Sequence, residues 1–381
     1  MNTYDVIIIG AGAAGLKAAS VLKSRGKKVL ILDMGNDPAR KVSISGGGNC
    51  NFTNTNANYT KYFGNNSRFT TSALSQFSPI DTLNWAKENN IKFIEKEPGR
   101  YFCKTGAKDI VNLLLKDIKN TDIKYNEKVE SISKKDKLFI VNTTNFEFIC
   151  SSIIIASGGV SYPHLGVSNV GHIIAKKFGH KIVPVRPALC AMKTKYFDSS
   201  LSGISLPVQI KTTDRIINDN LLFTHFGLGG PAIYRASLSS GKFTINFAPN
   251  INLFEKLKEY KTSDGKKSLR TILSYFLPSK LADVFAETHT GNIADIKDKD
   301  IKIITDKINN FEINDYELAG MQSAEITFGG IDTKDISSKT MESRLCPGLF
   351  FAGEVMDVNG DLGGFNLQWA FSSGYVAGLN A

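Results

Sequence analysis

No two of the five cysteines, Cys50, Cys103, Cys150, Cys190 and Cys346, stand as CxxC, and their number is odd. That spacing indicates neither a disulfide framework nor a zinc site, and it predicts reduced thiols. Five histidines leave little room for a multi-histidine centre, so no metal is expected. No apolar run is long enough to span a bilayer, and Met1 to Asp5 carries no basic leader. No membrane partner is therefore expected, and the cytoplasm is the default location. Nor is there a compositional bias: 42% hydrophobic and 22% charged residues exclude disordered, collagen-like and coiled-coil chains.

What is present is enough chain for two or three structural units, since 381 residues exceed what one core usually serves. The net charge of +10 is uneven: +8 over residues 1–150, +7 over 151–250, +1 over 251–312 and −6 over 313–381. Such a field favours anionic partners, RNA included, although a lysine-rich solubilising surface looks the same by composition.

The apolar run Tyr4 to Ile9, the helical pattern Ala13 to Arg25 and the run Lys28 to Leu32 read as one βαβ unit. The Asn-rich stretch from Asn49 to Ser67 reads as a long loop, with helices near Ile80 to Asn89 and Ala107 to Asn120. Alternating strands follow from about Ile123 to Ile149, and Ser152 to Ala156 reads as a further buried strand. From Leu189 to Pro249 short alternating strands dominate. Residues 251–312 are Lys- and Asp-rich with helical spacing, and Gly348 to Ala352 reads as one more parallel strand. The expected fold is α/β: a discontinuous doubly wound, Rossmann-type domain over 1–188 and 320–381, a β-rich insert over 189–250 and a small helical subdomain over 251–319.

Gly10-Ala-Gly12-Ala13-Ala14-Gly15 falls between strand and helix, where bare backbone approaches a pyrophosphate and the helix start offers free N–H donors. Asp33, closing the second strand, is spaced to accept from an adenosine ribose hydroxyl. Strand before, helix after and acid at the right distance outweigh an ordinary tight turn. This motif does not separate FAD from NAD. The far end does: Gly353-Glu354, then Asp357, then Gly363-Gly364-Phe365-Asn366-Leu367 read as a strand exit and a glycine-started helix whose N–H groups face a flavin pyrimidine ring. FAD is the expected cofactor.

Here the chain resembles a known family. Lys41 to Asn54, containing Ser45-Gly46-Gly47-Gly48-Asn49-Cys50-Asn51, is similar to the SGGGRCN-type signature of the BaiN/RdsA-like flavoproteins, predicted NAD(P)/FAD-dependent oxidoreductases. The likeness continues through Ala156-Ser157-Gly158-Gly159 to Pro163, Phe223 to Pro231, Thr327 to Asp332 and the C-terminal block to Gly374. Asn49 departs from the usual arginine, which leaves open whether Arg40 or Lys41 supplies that charge. Cys103 replaces a frequent proline, and Ser157 a threonine. The resemblance implies FAD contacts from Gly10, Gly12, Ala13, Ala14, Gly15, Asp33 and Met34, and from Lys41, Ser45, Gly46, Gly47 and Asn49. It implies others from Val129, Ala156, Ser157 and Gly158, and from Gly353, Glu354, Asp357, Gly363, Gly364, Phe365, Asn366 and Leu367.

Above the flavin, Cys50 and Asn51 are candidates by position, and Tyr162 and His225 are the proton-transfer candidates that the resemblance supplies. Each has a plain alternative: Cys50 serves equally as packing, Tyr162 as a satisfied core hydroxyl, and a lone histidine is more often structural. No second GxGxxG exists, so NAD(P)H is left as a transient electron donor beside the alternative of another protein. The resemblance implies three reactions: reduction of a conjugated C=C bond, oxidation of a small amine, and reduction of a ribosomal RNA uridine to dihydrouridine. The leading expectation is an FAD-dependent oxidoreductase of a small-molecule substrate, the alternative an rRNA uridine reductase, and the third a flavin-binding scaffold without turnover.

Overall fold

The computed structural model describes residues 2–381. Two compact units emerge, the first from residues 1–187 and 321–381, the second from residues 188–320.

In the first unit, β1 (Asn2–Ile9) leads through α1 (Ala13–Ser24) into β2 (Val29–Leu32), and the two strands pair in parallel. All four residues of β2 are buried, as a strand covered on both faces requires. β3 (Asp122–Lys124) extends the parallel edge beyond β2. On the other side β1 pairs with β6 (Glu147–Ile155), which takes β7 (Leu349–Phe351) in parallel and β5 (Leu138–Thr143) in antiparallel register. β4 (Val129–Lys135) closes the hairpin with β5.

The two separate strands expected near 149 and 152 are one. Glu147 to Cys150 faces the hairpin and alternates in burial, whereas Ile153 to Ile155 lies between β1 and β7 and is buried throughout. A change of neighbours along one strand changed its hydrophobic period. The Asn-rich loop also carries two short strands, Asn51–Asn54 and Tyr62–Phe63, paired with Arg100–Cys103 and Asn359–Gly360. Their partners lie far along the chain, so no local pattern announces them. Helix Pro79–Glu88 starts where expected, with a reciprocal capping box between Ser78 and Asp81.

The chain ends in α2 (Phe365–Asn380), which packs along α1. A Cβ on Gly374 would lie 2.3 Å from the Ala14 carbonyl oxygen, and one on Gly378 2.6 Å from that of Ala18. Only glycine permits so close a helix contact. Four residues on one helix match four on the other, so α1 and α2 run in the same direction with their N-termini at the same end.

The second unit is a seven-stranded antiparallel sheet with helices. Its order is Phe311–Ile313, Phe243–Asn246, Ser205–Lys211, Ile216–Thr224, Gly227–Gly229, Met192–Lys193 and Glu317–Leu318. Strands from residues 311–318 thus join the sheet built by residues 192–246. Helix Asp298–Asn309 buries Ile301, Ile304, Thr305 and Ile308, one stripe at helical spacing. These and Leu269, Leu281 and Phe285 share one core with Val208, Phe223 and Phe247. No described helix in either unit is long and apolar enough to cross a membrane.

Candidate functional site

Three glycines open α1 for three different reasons. Gly10 has φ +111°, and a Cβ there would stand 2.4 Å from the Ala156 carbonyl oxygen at the end of β6. At Gly15 a Cβ would meet the Gly10 carbonyl oxygen at 2.0 Å. Gly12 differs: it caps α1 in an extended conformation, and its missing Cβ faces open space with no atom within 4 Å. No side chain caps this helix and no acid lies in its first turn. An uncapped N-terminus opening onto empty space fits a pyrophosphate. Ala13 and Ala14 are buried behind it.

Asp33 braces this turn. Its carboxylate accepts from the Ala11 N–H and the Gly35 N–H, both at 2.7 Å, and from the Arg40 guanidinium at 2.8 Å. A carboxylate offers about four acceptor positions, so one remains for a ribose hydroxyl. The Asn126 and Glu127 N–H groups bond the Gly35 and Asp33 carbonyls, which ties the start of β4 and buried Val129 to the same turn. Met34 is exposed beside it.

Neither basic neighbour of the glycine loop stands free to replace the arginine missing at Asn49. Arg40 is held by Asp33 and the Leu165 carbonyl. The Lys41 ammonium donates to the Ser161 hydroxyl at 2.7 Å and to both Glu354 oxygens at 2.7 and 2.8 Å. Glu354 also accepts from the Thr327 N–H, and the Thr327 hydroxyl accepts from the Val160 and Ser161 N–H groups. Segments 41, 157–161, 327 and 353–354 are thereby drawn together. The Ser157 hydroxyl is buried there without a partner. Gly353 is gripped by the C-terminal helix, donating to the Ser373 hydroxyl and accepting from the Trp369 indole.

The second convergence is at the start of α2. Gly363 and Gly364 have φ +113° and +90°, and a Cβ on Gly364 would lie 2.5 Å from the Thr53 carbonyl oxygen and 2.7 Å from the Asn51 side-chain oxygen. That Asn51 oxygen is buried and unpartnered. Again no side chain caps the helix and no acid lies in its first turn. Asn366 exchanges bonds with both backbone groups of Gly360, and Phe365 packs edge-on against Tyr62, while Leu367 is half-buried.

Between these lies the glycine loop. Gly46, Gly47 and Gly48 are left-handed and exposed with Asn49, and Ser45 is half-buried. Cys50, also left-handed at φ +49°, is fully buried. Its thiol is held below the usual range, chiefly because the Cys103 thiol donates to it; the Cys103 thiol is raised correspondingly.

Other expected residues fall elsewhere. Asp357 is buried with its carboxyl raised by burial, and it accepts from the Asn65 N–H and the Asn359 amide. Tyr162, half-buried and left-handed at φ +56°, donates its N–H to the Met321 carbonyl and meets His164 edge-on. His225 belongs to the second unit, at an exposed hairpin turn next to Phe226. A residue not anticipated is Glu325: it retains accessible surface yet is enclosed enough that burial raises its carboxyl, with Lys41 pulling the other way. Its only sequence signal is adjacency to the Thr327 block. A cavity of about 590 Å³ lies apart from the glycine motifs, lined among others by Asn65, Arg68, Lys334 and Arg344.

A family model described as the HI0933-like protein Rossmann domain matches residues 4–380. A ribosomal RNA dihydrouridine synthase of Haemophilus influenzae is 39% identical over 401 residues, covering 100% of this chain and 99% of the relative. One of Escherichia coli is 35% identical, covering 99% and 97%. A 3-dehydro-bile acid delta(4,6)-reductase of Clostridium scindens is 26% identical, covering 98% of each. Among solved structures, a 3-ketosteroid-delta4-(5alpha)-dehydrogenase from Rhodococcus jostii shares the fold at a TM-score of 0.51 and 12% identity, over 100% of this chain and 96% of that one. With the family model spanning nearly every residue and relatives above 30% identity along the full length, the chain belongs to the HI0933-like Rossmann family and is an FAD-dependent oxidoreductase of the BaiN/RdsA-like kind.

Proposed function

We propose that this chain reduces an activated carbon–carbon double bond, and that the substrate is a uridine of ribosomal RNA, converted to dihydrouridine. The observation that carries the flavin half of this reading is the pair of uncapped helix starts. Gly374 sits beside Ala14, so α2 extends eight residues, roughly 12 Å at 1.5 Å per residue, beyond the start of α1. Two positive helix ends on one side, separated along parallel axes, suit a pyrophosphate at one and an electron-rich ring edge at the other.

FAD, when bound, supplies hydride chemistry at its ring. The chain's residues do the remainder. Gly12 leaves room for phosphates, the N-terminus of α2 favours negative charge, and the unpartnered Asn51 oxygen accepts a hydrogen bond from whatever lies against Gly364. Tyr162 and His225 stand as proposed proton-handling groups, and Cys50 and Asn51 as proposed neighbours of the ring edge. NAD(P)H is the proposed electron donor, bound transiently, since no second dinucleotide motif is present.

Two features support RNA as substrate: the full-length relatives at 39% and 35% identity bear that activity in their names, and the first unit alone carries a net charge of +8. A small-molecule C=C bond is the second reading, favoured by the bile acid reductase at 26% identity. The test mixes anaerobically reduced protein with ribosomal RNA lacking the modification. Flavin reoxidation coupled to a gain of about 2 Da at one uridine supports the reading, because a hydride plus a proton adds two hydrogens. Reduced flavin that persists with RNA but is reoxidised by a conjugated enone favours the second.

A further inference from the structure

We propose that Cys50 and Cys103 form a reversible dithiol–disulfide site oxidised by hydroperoxide. This goes beyond the reduction reaction and stands whether or not RNA is the substrate.

The argument starts from backbone register. Strands Asn51–Asn54 and Arg100–Cys103 are antiparallel with Asn51 opposite Phe102, and Cys50 and Cys103 are the next residues of the two segments beyond that pair. The Cys103 N–H bonds the Asn49 and Cys50 carbonyls at 3.0 and 3.3 Å, so the two backbones remain in contact there. Cys50 itself lies just before its strand in a left-handed conformation at φ +49°, so this backbone contact, and not a ladder position, brings it to Cys103. The side chains are close enough that the Cys103 thiol holds the Cys50 thiol low while Cys103 itself is raised. No sequence spacing reveals this pair, because 53 positions separate its members.

The pair is asymmetric in the way the chemistry needs. Cys50 receives the hydrogen bond of the Cys103 thiol, which favours its thiolate, and the Ser45 hydroxyl, bonded at rest to the Val42 carbonyl, lies within reach. Cys103 is kept protonated by the same contact, by burial and by nearby Asp109. Cys150 and Cys346, in contrast, are raised by burial alone as the leading cause. Cys50 is therefore the attacking sulfur and Cys103 the resolving one.

The steps balance. The Cys50 thiolate attacks one oxygen of hydrogen peroxide, the O–O bond breaks, and the departing hydroxide takes a proton to leave as water. Cys50 is then a sulfenic acid. The Cys103 sulfur attacks it, the S–O bond breaks as the S–S bond forms, and the hydroxyl leaves as a second water with the Cys103 proton. Two thiols lose two electrons to one peroxide.

Both sulfurs are buried, at 0% and 2% exposure, so reaction requires local opening. The hinge is adjacent: Gly46, Gly47 and Gly48 are exposed, left-handed and directly precede Cys50. Next to the pair on the other side is Asn51, whose oxygen faces Gly364 at the start of α2. The bridge would thus lock the loop that borders the candidate flavin edge.

The experiment treats FAD-loaded protein with equimolar hydrogen peroxide, blocks free thiols by alkylation and maps peptides without reductant. A Cys50–Cys103 linked peptide that dithiothreitol reverses, formed while Cys150, Cys190 and Cys346 remain alkylated and flavin absorbance is retained, is the expected result. Cys103→Ser, which keeps a hydroxyl donor beside Cys50 but no resolving sulfur, should stop the reaction at a sulfenic acid on Cys50 that dimedone traps. Two free thiols at 50 and 103, separate over-oxidation of either, or a bridge to another cysteine each overturn the proposal, and these readings on the unsubstituted protein do not depend on any variant folding.

Discussion

Gly12 and Gly15 are three residues apart in one motif and answer to different constraints. A side chain at Gly15 would drive into the Gly10 carbonyl, so Gly15→Ala should damage folding itself. Gly12 has φ −83° and empty space before it, so Gly12→Val should fold and fill the room proposed for phosphate. The expected outcome is an unfolding midpoint within a few degrees of the parent and FAD affinity lower by about 100-fold, roughly 3 kcal/mol. Flavin fluorescence titration beside a thermal melt checks both. Unchanged FAD binding would mean that the pyrophosphate lies elsewhere.

Lys17, on α1, offers a second test at this scale. Its ammonium is buried against the rings of Phe77 and Trp85, 4.3 and 4.2 Å from their centroids. Burial lowers it to about 8, while Asp117 and Asp81 oppose. The folded state therefore holds its proton less tightly than the unfolded chain. Protonation opposes folding below about 8, and stability attributable to this group rises as pH climbs from about 8 toward 10.5. The ring faces favour the ammonium and moderate the gain to about 1–2 kcal/mol. Urea unfolding across that window should show the rise in the parent and its loss in Lys17→Met.

At the scale of elements, the glycine seam between α1 and α2 couples the two candidate cofactor ends. Gly374→Leu would place a branched side chain where the Ala14 carbonyl stands. Overpacking of this kind costs about 1–3 kcal/mol and should push the helices apart. Because Gly353 is held by Ser373 and Trp369 of the same helix, FAD affinity should fall together with stability. Denaturation midpoints and flavin titrations on one preparation decide it; stability lost with FAD affinity intact would uncouple the seam from the site.

For the whole molecule, the question is where RNA phosphates would bind. Arg68, Lys334 and Arg344 line one cavity of the first unit, with Asp332 also in its wall. None of the three forms an ion pair among the described residues. If they contact RNA, substituting each by Ala should weaken binding uniformly across sequences and reduce the slope of log affinity against log salt by about 0.7 to 1 per residue. An unchanged slope in the triple variant would return this cavity to an ordinary polar recess.

The sequence alone determined the dinucleotide turn, the role of Gly353 to Asn366 as a second glycine-rich helix start and the family, because each is carried by contiguous residues whose backbone needs are local. Its alternation likewise announced most strands and its Lys- and Asp-rich periods the helices of residues 251–312. Only the tertiary structure decided that β6 is one strand with two kinds of neighbour, that Asp33 and Lys41 are already engaged by Arg40 and Glu354, and that strand Asn51–Asn54 pairs with Arg100–Cys103. It alone set Cys50 against Cys103 and ran α1 beside α2 in the same direction. Such facts depend on which distant segments meet, and chain folding sets that through packing of the whole core, which no local period records.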